Sequence, residues 1–259
     1  MEELTLTQTY KVGNVSIGEG MPKICAPLTG TNVDEILEEC KMIRASAVDL
    51  VEWRVDFFDD ALLTDRVLAT LPKIKEVLED LPLIFSFRTA EEGGEKKITD
   101  KQYVSLNKAV AVSGHVHIID IELFRGKNVV EELVTAAKES QIYTIISNHD
   151  FNRTPEMEEL IRRVTSAIEL GGDFPKLAVM PQREEDLLTV LKASLQMKRT
   201  YPEQAIIMIA MGSLGMISRL SGEIFGSAIT FASVRNASAP GQISVTDMKS
   251  ILQLIHDAK

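Results

Sequence analysis

The sequence predicts an α/β protein, a (β/α)₈ TIM barrel with an N-terminal β-hairpin that covers the bottom of the barrel. Its 259 residues match one barrel of roughly 250 residues better than two small domains. Apolar runs of strand length alternate with segments of helical periodicity, as repeated strand–helix units require. Ionisable residues also recur on one face of several strands. The strand candidates are 23–28, 48–56, 82–88, 117–123, 143–149, 175–180, 205–211 and 228–234.

The segments between these strands carry helix signals. After the first strand, Asn32 is the predicted N-cap, with Glu35 three residues later as in a capping box. After the fifth strand, Thr154 is the predicted cap, Pro155 takes the first helical position, and Gly171-Gly172 ends the helix. The apolar stripes are Val33, Ile36, Leu37, Cys40 and Ile43 in the first helix, and Val245, Met248, Ile251, Leu252 and Ile255 in the last.

Residues 1–20 form the predicted N-terminal extension. Gly13-Asn14 separates two β-like stretches between Tyr10 and Ile17, which is typical of a hairpin outside the repeat. No low-complexity tract and no Gly/Ser-rich or Pro-rich linker divides the chain, so we expect a single domain over residues 1–259.

Eight alternating units fit an open doubly wound sheet as well as a closed barrel. No strand is followed by a GxGxxG or P-loop motif, which favours the barrel. Strand side chains alternate between faces, and the charged faces of five consecutive strands suit one interior that opens on one site. The inward-facing sets are Glu52, Arg54 and Asp56; Ile84, Ser86 and Arg88; Asp120 and Glu122; Ile145, Ser147 and His149; and Lys176, Ala178 and Met180.

Composition excludes several classes of partner. A formal net charge of −10 argues against nucleic acid and against anionic membranes, although a local cluster of arginines can still bind an anionic small molecule. The N-terminus carries Glu2 and Glu3 and lacks an apolar h-region, which argues against a secretory signal. No apolar run approaches the roughly 20 residues of a membrane span. Cys25 and Cys40 have no disulfide or metal spacing, so we expect free thiols in a reducing cytoplasm.

Two residues suggest catalysis at the carboxyl ends of the strands, one as a nucleophile and one as a proton-transfer group. Lys176 lies in a short apolar run, where a desolvated amine can attack a ketone, although a lysine at the barrel rim fits the same pattern. His149 ends the preceding strand and can transfer a proton near neutral pH, although a helix-capping histidine is an equal alternative. A carboxylate such as Asp120 or Glu92 is a candidate to orient its ring.

Two loops at the same end are rich in small residues. The segment from Glu91 to Glu95 follows the third strand, and the segment from Asn236 to Gln242 follows the eighth. Both suit a lid that excludes water, and both also fit ordinary surface turns.

Six strings carry a family resemblance. EWR (52–54), FRTAEEGGE (87–95), SNHDFNRTP (147–155), PKLAVMPQ (175–182), ISRLSGEIFGS (217–227) and ASAPGQ (237–242) resemble, in the same order, the signature segments of type I 3-dehydroquinate dehydratases. The resemblance covers nearly the whole chain. It implies a (β/α)₈ barrel that needs no metal or organic cofactor, acts on 3-dehydroquinate in the shikimate pathway, and forms a homodimer.

The resemblance also implies roles for ten residues. Lys176 would form an imine with the substrate ketone, and His149 would remove the α-proton and then protonate the departing hydroxyl. Arg219 would bind the substrate carboxylate, and Glu92 and Asp120 would support the histidine. The remaining substrate-binding candidates are Glu52, Arg54 and Arg88, which would hold the ring hydroxyls and the anion, and Ser238 and Gln242, which would close over it.

Two departures and two rivals accompany this hypothesis. Pro27 stands where better-known members have serine, and Ile209 where they often have methionine, which puts substrate contacts in doubt but not the reaction. A class I aldolase-type lyase would share the lysine and the fold but cleave a carbon–carbon bond, and a substrate panel separates the two. If the chain is instead a non-catalytic barrel that binds a small acid, Lys176→Ala should leave ligand binding and the biological role largely intact.

Overall fold

The computed structural model describes residues 9–235 and 238–258, and its centre is a ring of eight parallel strands. Each of the first six barrel strands pairs with the next in parallel register, the seventh pairs with the sixth, and the last, Ile229–Phe231, pairs with the first, Lys23–Leu28. A hydrogen bond of 2.8 Å from Ala228 N to Ile206 O joins the starts of the last two strands. The barrel strands are β3 Lys23–Leu28, β4 Leu50–Arg54, β5 Leu83–Ser86, β6 Ile118–Glu122, β7 Tyr143–Asp150, β8 Phe174–Val179, β9 Ile207–Ala210 and β10 Ile229–Phe231. The predicted barrel is therefore confirmed, and the open sheet is excluded.

Helices surround the ring. The predicted N-cap at Asn32 is confirmed, since its side chain accepts the Glu35 N–H at 3.1 Å. The capping box is wrong, because the Glu35 carboxylate accepts the Thr31 N–H at 2.9 Å instead of the Asn32 N–H. The helices are α1 Val33–Arg44, α2 Thr64–Leu78, α3 Asp100–Ala111, α4 Lys127–Glu139, α5 Met157–Glu169, α6 Glu184–Thr200, α7 Met216–Leu220, α8 Gly222–Phe225 and α9 Val245–Asp257.

The predicted start of α5 is also wrong. The helix begins at Met157 with Glu156 at the N-cap and no side-chain cap. The Asp150 carboxylate accepts the main-chain N–H groups of Asn152 and Arg153 at 3.1 and 3.2 Å, so it organises the preceding turn locally. Thr154 and Pro155 remain in this connection outside the helix.

Alternating side chains separate an inner from an outer core, as the strand pattern predicts. The outward residues of β4, such as Val51 and Trp53, pack with the helices in one apolar cluster. The inward residues at the amino ends of the strands form a separate apolar floor inside the ring. The members of this floor are Cys25, Leu50, Ile84, Ile118, Ile145, Phe174, Ile207 and Ile229. Above this floor, two positions further along β4, β6 and β8, lie the inward-facing Glu52, Asp120 and Lys176.

The hairpin closes the barrel from below. Strands β1 Tyr10–Val12 and β2 Val15–Ile17 are antiparallel, and Gly13 makes the turn with φ of 57°. Tyr10 and Ile17 are buried in the same cluster as the floor, and the Tyr10 ring lies 4.8 Å from that of Phe174. Residues 1–8 of the predicted extension lie outside the described residues. Within the described part of the chain, no helix is both long and apolar enough to span a bilayer.

Phe174→Ala tests the contact between the floor and the hairpin. The ring is fully buried between Tyr10 and Tyr143, so truncation leaves a cavity that the barrel walls cannot fill. We expect a loss of about 3–5 kcal/mol in the free energy of unfolding, measured by urea denaturation. The exposed Val112→Ala is the matched control and should change the stability by less than about 0.5 kcal/mol.

Candidate active site

A cavity of about 440 Å³, open solvent included, lies at the carboxyl ends of the barrel strands. Active sites of this barrel architecture lie at that end. Eight of the ten residues singled out from the sequence line it, whereas Glu92 and Asp120 lie behind the wall. The lining residues are Glu52, Arg54, Arg88, His149, Phe151, Lys176, Ala178, Ile209, Met211, Arg219, Phe231, Ser238, Ala239 and Gln242.

Lys176 projects into this cavity from β8 and is 7% exposed. Its Nζ lies 3.5 Å from Glu52 Oε1 and 3.7 Å from Asp120 Oδ2, and 4.2 Å from the centre of the Phe231 ring. Two carboxylates and an aromatic face stabilise an ammonium group. The sequence predicts a desolvated amine at Lys176. The structure adds two carboxylates and an aromatic ring beside that amine. Only the neutral amine form of a lysine can attack a carbonyl.

Arg88 joins the carboxylates beneath the cavity. Its guanidinium contacts Asp120 at 2.8 Å and Glu122 at 3.0 Å, and donates to Ser147 at 2.9 Å. Burial opposes the charged forms, but the Arg88 and Lys176 charges hold the pKa of Asp120 below its ordinary value. Asp120 therefore contacts the lysine and Arg88 and makes no described contact with His149.

His149 and Glu92 form a hydrogen-bonded pair. The ring Nδ1 lies 3.0 Å from Glu92 Oε2, and the His149 main-chain N–H donates to the same oxygen at 2.9 Å. Burial lowers the pKa of His149 well below its ordinary value, with further contributions from the Arg88 and Lys176 charges. Burial also raises the pKa of Glu92 to about 8, although Arg88 opposes this rise.

The pair can therefore hold or release a proton near neutral pH. When Glu92 is ionised, it accepts a hydrogen bond from His149 Nδ1–H, and the lone pair of Nε2 is available to the cavity. Once Nε2 has taken a proton from a bound molecule, it can return that proton as an acid. One side chain can thus serve as base and then as acid.

Arg54 is fixed at the cavity wall. Its Nε and Nη2 donate to the two oxygens of Asp56, both at 2.8 Å. Asp56 lies in a short 3₁₀ turn, Val55–Phe57, directly after β4, and it is fully buried. The third nitrogen, Nη1, faces the main-chain oxygen of Ser238 at 3.4 Å. Nη1 is therefore the nitrogen of Arg54 that is directed toward the loop above the cavity.

Arg219 is the least compensated cation of the wall. It is 2% exposed, its Nη2 donates to Pro240 O at 2.9 Å, and its Nε is buried without a hydrogen-bond partner in the described structure. No ion pair with a carboxylate is present among residues 9–235 and 238–258 for this side chain. Burial lowers its pKa to about 10, so it remains charged at neutral pH. A guanidinium in this state is suited to bind a carboxylate.

The loop after β10 covers the same wall. Gln242 accepts the Ser238 N–H at 3.0 Å, and its amide nitrogen donates to Ser238 Oγ at 3.2 Å. Gly241 has φ of 80°, and a Cβ there would lie 2.3 Å from Gly212 O, so this position requires glycine. Asn236 and Ala237 of the predicted lid lie outside the described residues. The other predicted lid, Glu91–Glu95, carries the buried Glu92 and is tied back by Glu95 N to Asp56 Oδ2 at 3.2 Å.

Sequence reasoning missed several residues of the site. Phe231 contacts the lysine, Phe151 stacks on His149 with 6.4 Å between ring centroids, and Asn148 donates to Glu92 at 3.1 Å. Strand alternation places Asn148 on the outer face of β7, so only the three-dimensional path of the Glu92 loop reveals its contact. No group of three or more His, Cys, Asp or Glu side chains suited to a metal ion occurs among the residues that the structure describes.

Known proteins resemble this chain over nearly its whole length. The family model described as type I 3-dehydroquinase matches residues 24–259. The 3-dehydroquinate dehydratase of Clostridioides difficile is 46% identical over 251 residues, 97% of this chain and 98% of that protein. The protein of the same name from Bacillus licheniformis is 47% identical over 97% of this chain and 99% of its own length.

Solved structures agree with these sequence relatives. The crystal structure of type I 3-dehydroquinate dehydratase from Clostridium difficile, with covalently modified comenic acid, superposes with a TM-score of 0.95 at 45% identity and covers 97% of this chain and 99% of that chain. The 3-dehydroquinate dehydratase from Geobacillus kaustophilus superposes with a TM-score of 0.94 at 34% identity, with 98% of each chain covered.

Proposed function

We propose roles for individual residues from the premise that this chain belongs to the type I 3-dehydroquinase family. Its reaction is the hydro-lyase step of the shikimate pathway, which converts 3-dehydroquinate to 3-dehydroshikimate and water. Family membership sets aside the aldolase-type and the binding-only alternatives. The roles of the side chains in this reaction are our proposal.

Lys176 is the nucleophile in this proposal. The observation that carries it is a buried lysine that lies between two carboxylates and lines the same cavity as His149. The Lys176 amine, once it has lost a proton, adds to the substrate ketone, and loss of one water gives an imine. An imine withdraws electrons more strongly than a ketone, so it acidifies the neighbouring C–H bond.

His149 transfers the protons. Its Nε2 removes the α-proton, and the electron pair of that C–H bond moves into an enamine. The enamine then expels the β-hydroxyl, which takes the same proton from His149 and leaves as water. Hydrolysis of the resulting conjugated imine consumes one water and returns the free lysine. The net change is the loss of one water from the substrate.

The other cavity residues bind the substrate. Arg219 takes the carboxylate, because its buried charge has no acidic partner in the described structure. Glu52, Arg54 and Arg88 hold the ring hydroxyls and the anion, and Ser238 with Gln242 closes over it. Asp120 holds Arg88 and Lys176 in place, and Glu122 holds Arg88. Glu92 supports His149 through the hydrogen bond to Nδ1.

Oxygen exchange tests the imine route. Imine formation expels the ketone oxygen, and hydrolysis takes a new oxygen from the solvent. Turnover in H₂¹⁸O should therefore place ¹⁸O in the product ketone, measured by mass spectrometry at short reaction times. Substrate incubated without enzyme corrects for spontaneous exchange. Enzymatic product that contains no more ¹⁸O than this background would contradict the proposal.

Arg219→Gln should weaken substrate binding. The amide keeps one donor but loses the charge and the paired geometry of the guanidinium, so we expect KM to rise about 10–100-fold. Steady-state kinetics should show a smaller change in kcat, because the substitution does not touch Lys176 or His149. Arg199→Gln, on the exposed end of α6, is the control. An unchanged KM for Arg219→Gln would contradict its assigned role.

We also infer a single-domain cytoplasmic homodimer that binds no nucleic acid. Two buried free cysteines, Cys25 and Cys40, fit a reducing compartment, and the net charge of −10 disfavours nucleic acid. The homodimer rests on the family resemblance. Light scattering at micromolar concentration distinguishes a dimer of 28.7 kDa chains from a monomer.

A further inference from the structure

A chain of buried hydrogen bonds leads from α5 to the histidine of the active site. Arg163 Nη1 donates to Asn148 Oδ1 at 2.8 Å, and Asn148 Nδ2 donates to Glu92 Oε1 at 3.1 Å. The other oxygen of Glu92 contacts His149 Nδ1 at 3.0 Å. Asn148 is 2% exposed and Arg163 is 8% exposed, and neither lines the cavity. Their described side-chain contacts reach His149 through Glu92.

Arg163 decides which way the Asn148 amide points. A guanidinium can only donate, so the group facing it must be the amide oxygen, and the NH₂ group must face Glu92. Arg163 is itself held by the Glu159 carboxylate at 2.7 Å, and its guanidinium lies 5.2 Å from the centre of the Phe124 ring. The N–H donor on Glu92 is thus fixed by contacts outside the active site.

Each oxygen of Glu92 receives a donor. Asn148 donates to Oε1, and the His149 main-chain N–H donates to Oε2. Arg88 adds a positive charge at 3.7 Å, while burial and the Glu122 charge oppose ionisation. Burial disfavours the imidazolium form of His149, and the charges of Arg88, Lys176 and Arg54 add to this effect. The two donors stabilise the carboxylate form of Glu92, the form that accepts Nδ1–H and leaves Nε2 as a base.

We propose that Asn148, oriented by Arg163, is a positioning residue that holds the Glu92 carboxylate against His149 and keeps the imidazole proton on Nδ1. The inference rests on the proposed function for the role of His149 as the base. Its consequence concerns proton transfer alone, because Lys176 and the substrate-binding wall make no described contact with Asn148. Loss of the Asn148 donor should therefore shift the pH dependence of kcat and leave imine formation intact.

Asn148→Asp tests this with a minimal change of shape. The aspartate side chain still accepts from Arg163, but it presents an oxygen to Glu92 in place of the N–H donor. A lost donor and a like charge both disfavour ionised Glu92, so less of the enzyme has a free base at neutral pH. We expect the rising limb of the kcat–pH profile to move up by at least about one pH unit, with kcat at pH 7 about tenfold lower. KM should change less than about threefold.

Arg163→Met is a second variant, which tests the same contact if Asn148→Asp does not fold. It releases the Asn148 amide from its fixed orientation, so we expect a smaller upward shift of the kcat–pH profile. Asn152→Asp is the charge control, because Asn152 is exposed and lies four residues along the same segment. It should leave the profile unchanged.

Borohydride trapping of the substrate imine distinguishes a failure of the role of Asn148 from a failure of the proposed function. If Asn148→Asp and the wild type trap equally and only the profile shifts, the inference holds. A profile equal to that of the wild type in both Asn148→Asp and Arg163→Met overturns it. An equal loss of activity at every pH together with lost trapping also overturns it, because that outcome marks a structural role. If the wild type itself forms no adduct, the proposed function fails instead.

Discussion

Replacing Lys176 with methionine should lower turnover of 3-dehydroquinate below about one thousandth of the wild-type rate, because the proposed covalent route needs the amine. Methionine fills a similar volume in the wall formed by Ala178 and Phe231, so the cavity should keep its shape. The absorbance of the conjugated ketone product reports the rate. The binding of substrate, measured by calorimetry, should persist because Arg219 and Arg54 remain.

The control for this substitution is Lys192→Met, which removes an exposed lysine from α6. It should retain full activity. Lys176→Met leaves Asp120 paired with Arg88, so the melting temperature should fall by only a few degrees. Activity of Lys176→Met within about tenfold of the wild type, in a folded protein, would contradict the role of the lysine.

His149→Asn has the second-largest expected effect, a decrease of about 10²–10⁴-fold in kcat, because the proposed general base and acid is lost. The asparagine amide can still donate to Glu92 from near the position of Nδ1, so the contact with the carboxylate is retained while Nε2 is removed. Stopped-flow kinetics with substrate should show rapid accumulation of the imine, since Lys176 is unchanged.

The control for the histidine is His256→Asn, at an exposed position near the end of α9. It should have no effect on kcat. If His149→Asn loses the imine as well as turnover, the histidine takes part in forming the imine, and its assigned role must be extended. A kcat unchanged from the wild type would contradict the role as base and acid.

The ring of strands could be predicted because the pattern is local. Each strand is a short apolar run with two-residue alternation, so the inward direction of Glu52, Ser86 and Lys176 follows from the sequence alone. The floor beneath them is also visible in the sequence, since the inward residue two positions earlier is apolar in each case, as Leu50, Ile84 and Phe174 show.

The contacts within the site could not be predicted, because they join distant segments. Asp120 and Glu92 were equal candidates to orient His149, and only the fold shows that the loop after β5 brings Glu92 to the ring. The start of α5 was mispredicted for a local reason. Thr154 and Pro155 form a typical helix start, but the Asp150 carboxylate stabilises a competing turn just before them.

The departures at Pro27 and Ile209 have different settings. Ile209 lines the cavity, so it replaces a flexible side chain with a branched one at the substrate wall. Pro27 is buried in β3 beside Glu52 of β4 and does not line the cavity. The hydroxyl that Pro27 lacks would therefore lie in the strand beside Glu52. The residues proposed for covalent chemistry are all present.

Reductive trapping followed by peptide mass spectrometry tests the central proposal most directly. The enzyme is incubated with 3-dehydroquinate and sodium borohydride, which converts an imine to a stable amine. We predict one adduct per chain, on the peptide that contains Lys176, with no adduct in Lys176→Met. An unmodified Lys176 peptide in an enzyme that still converts the substrate would show that the elimination proceeds without the covalent intermediate.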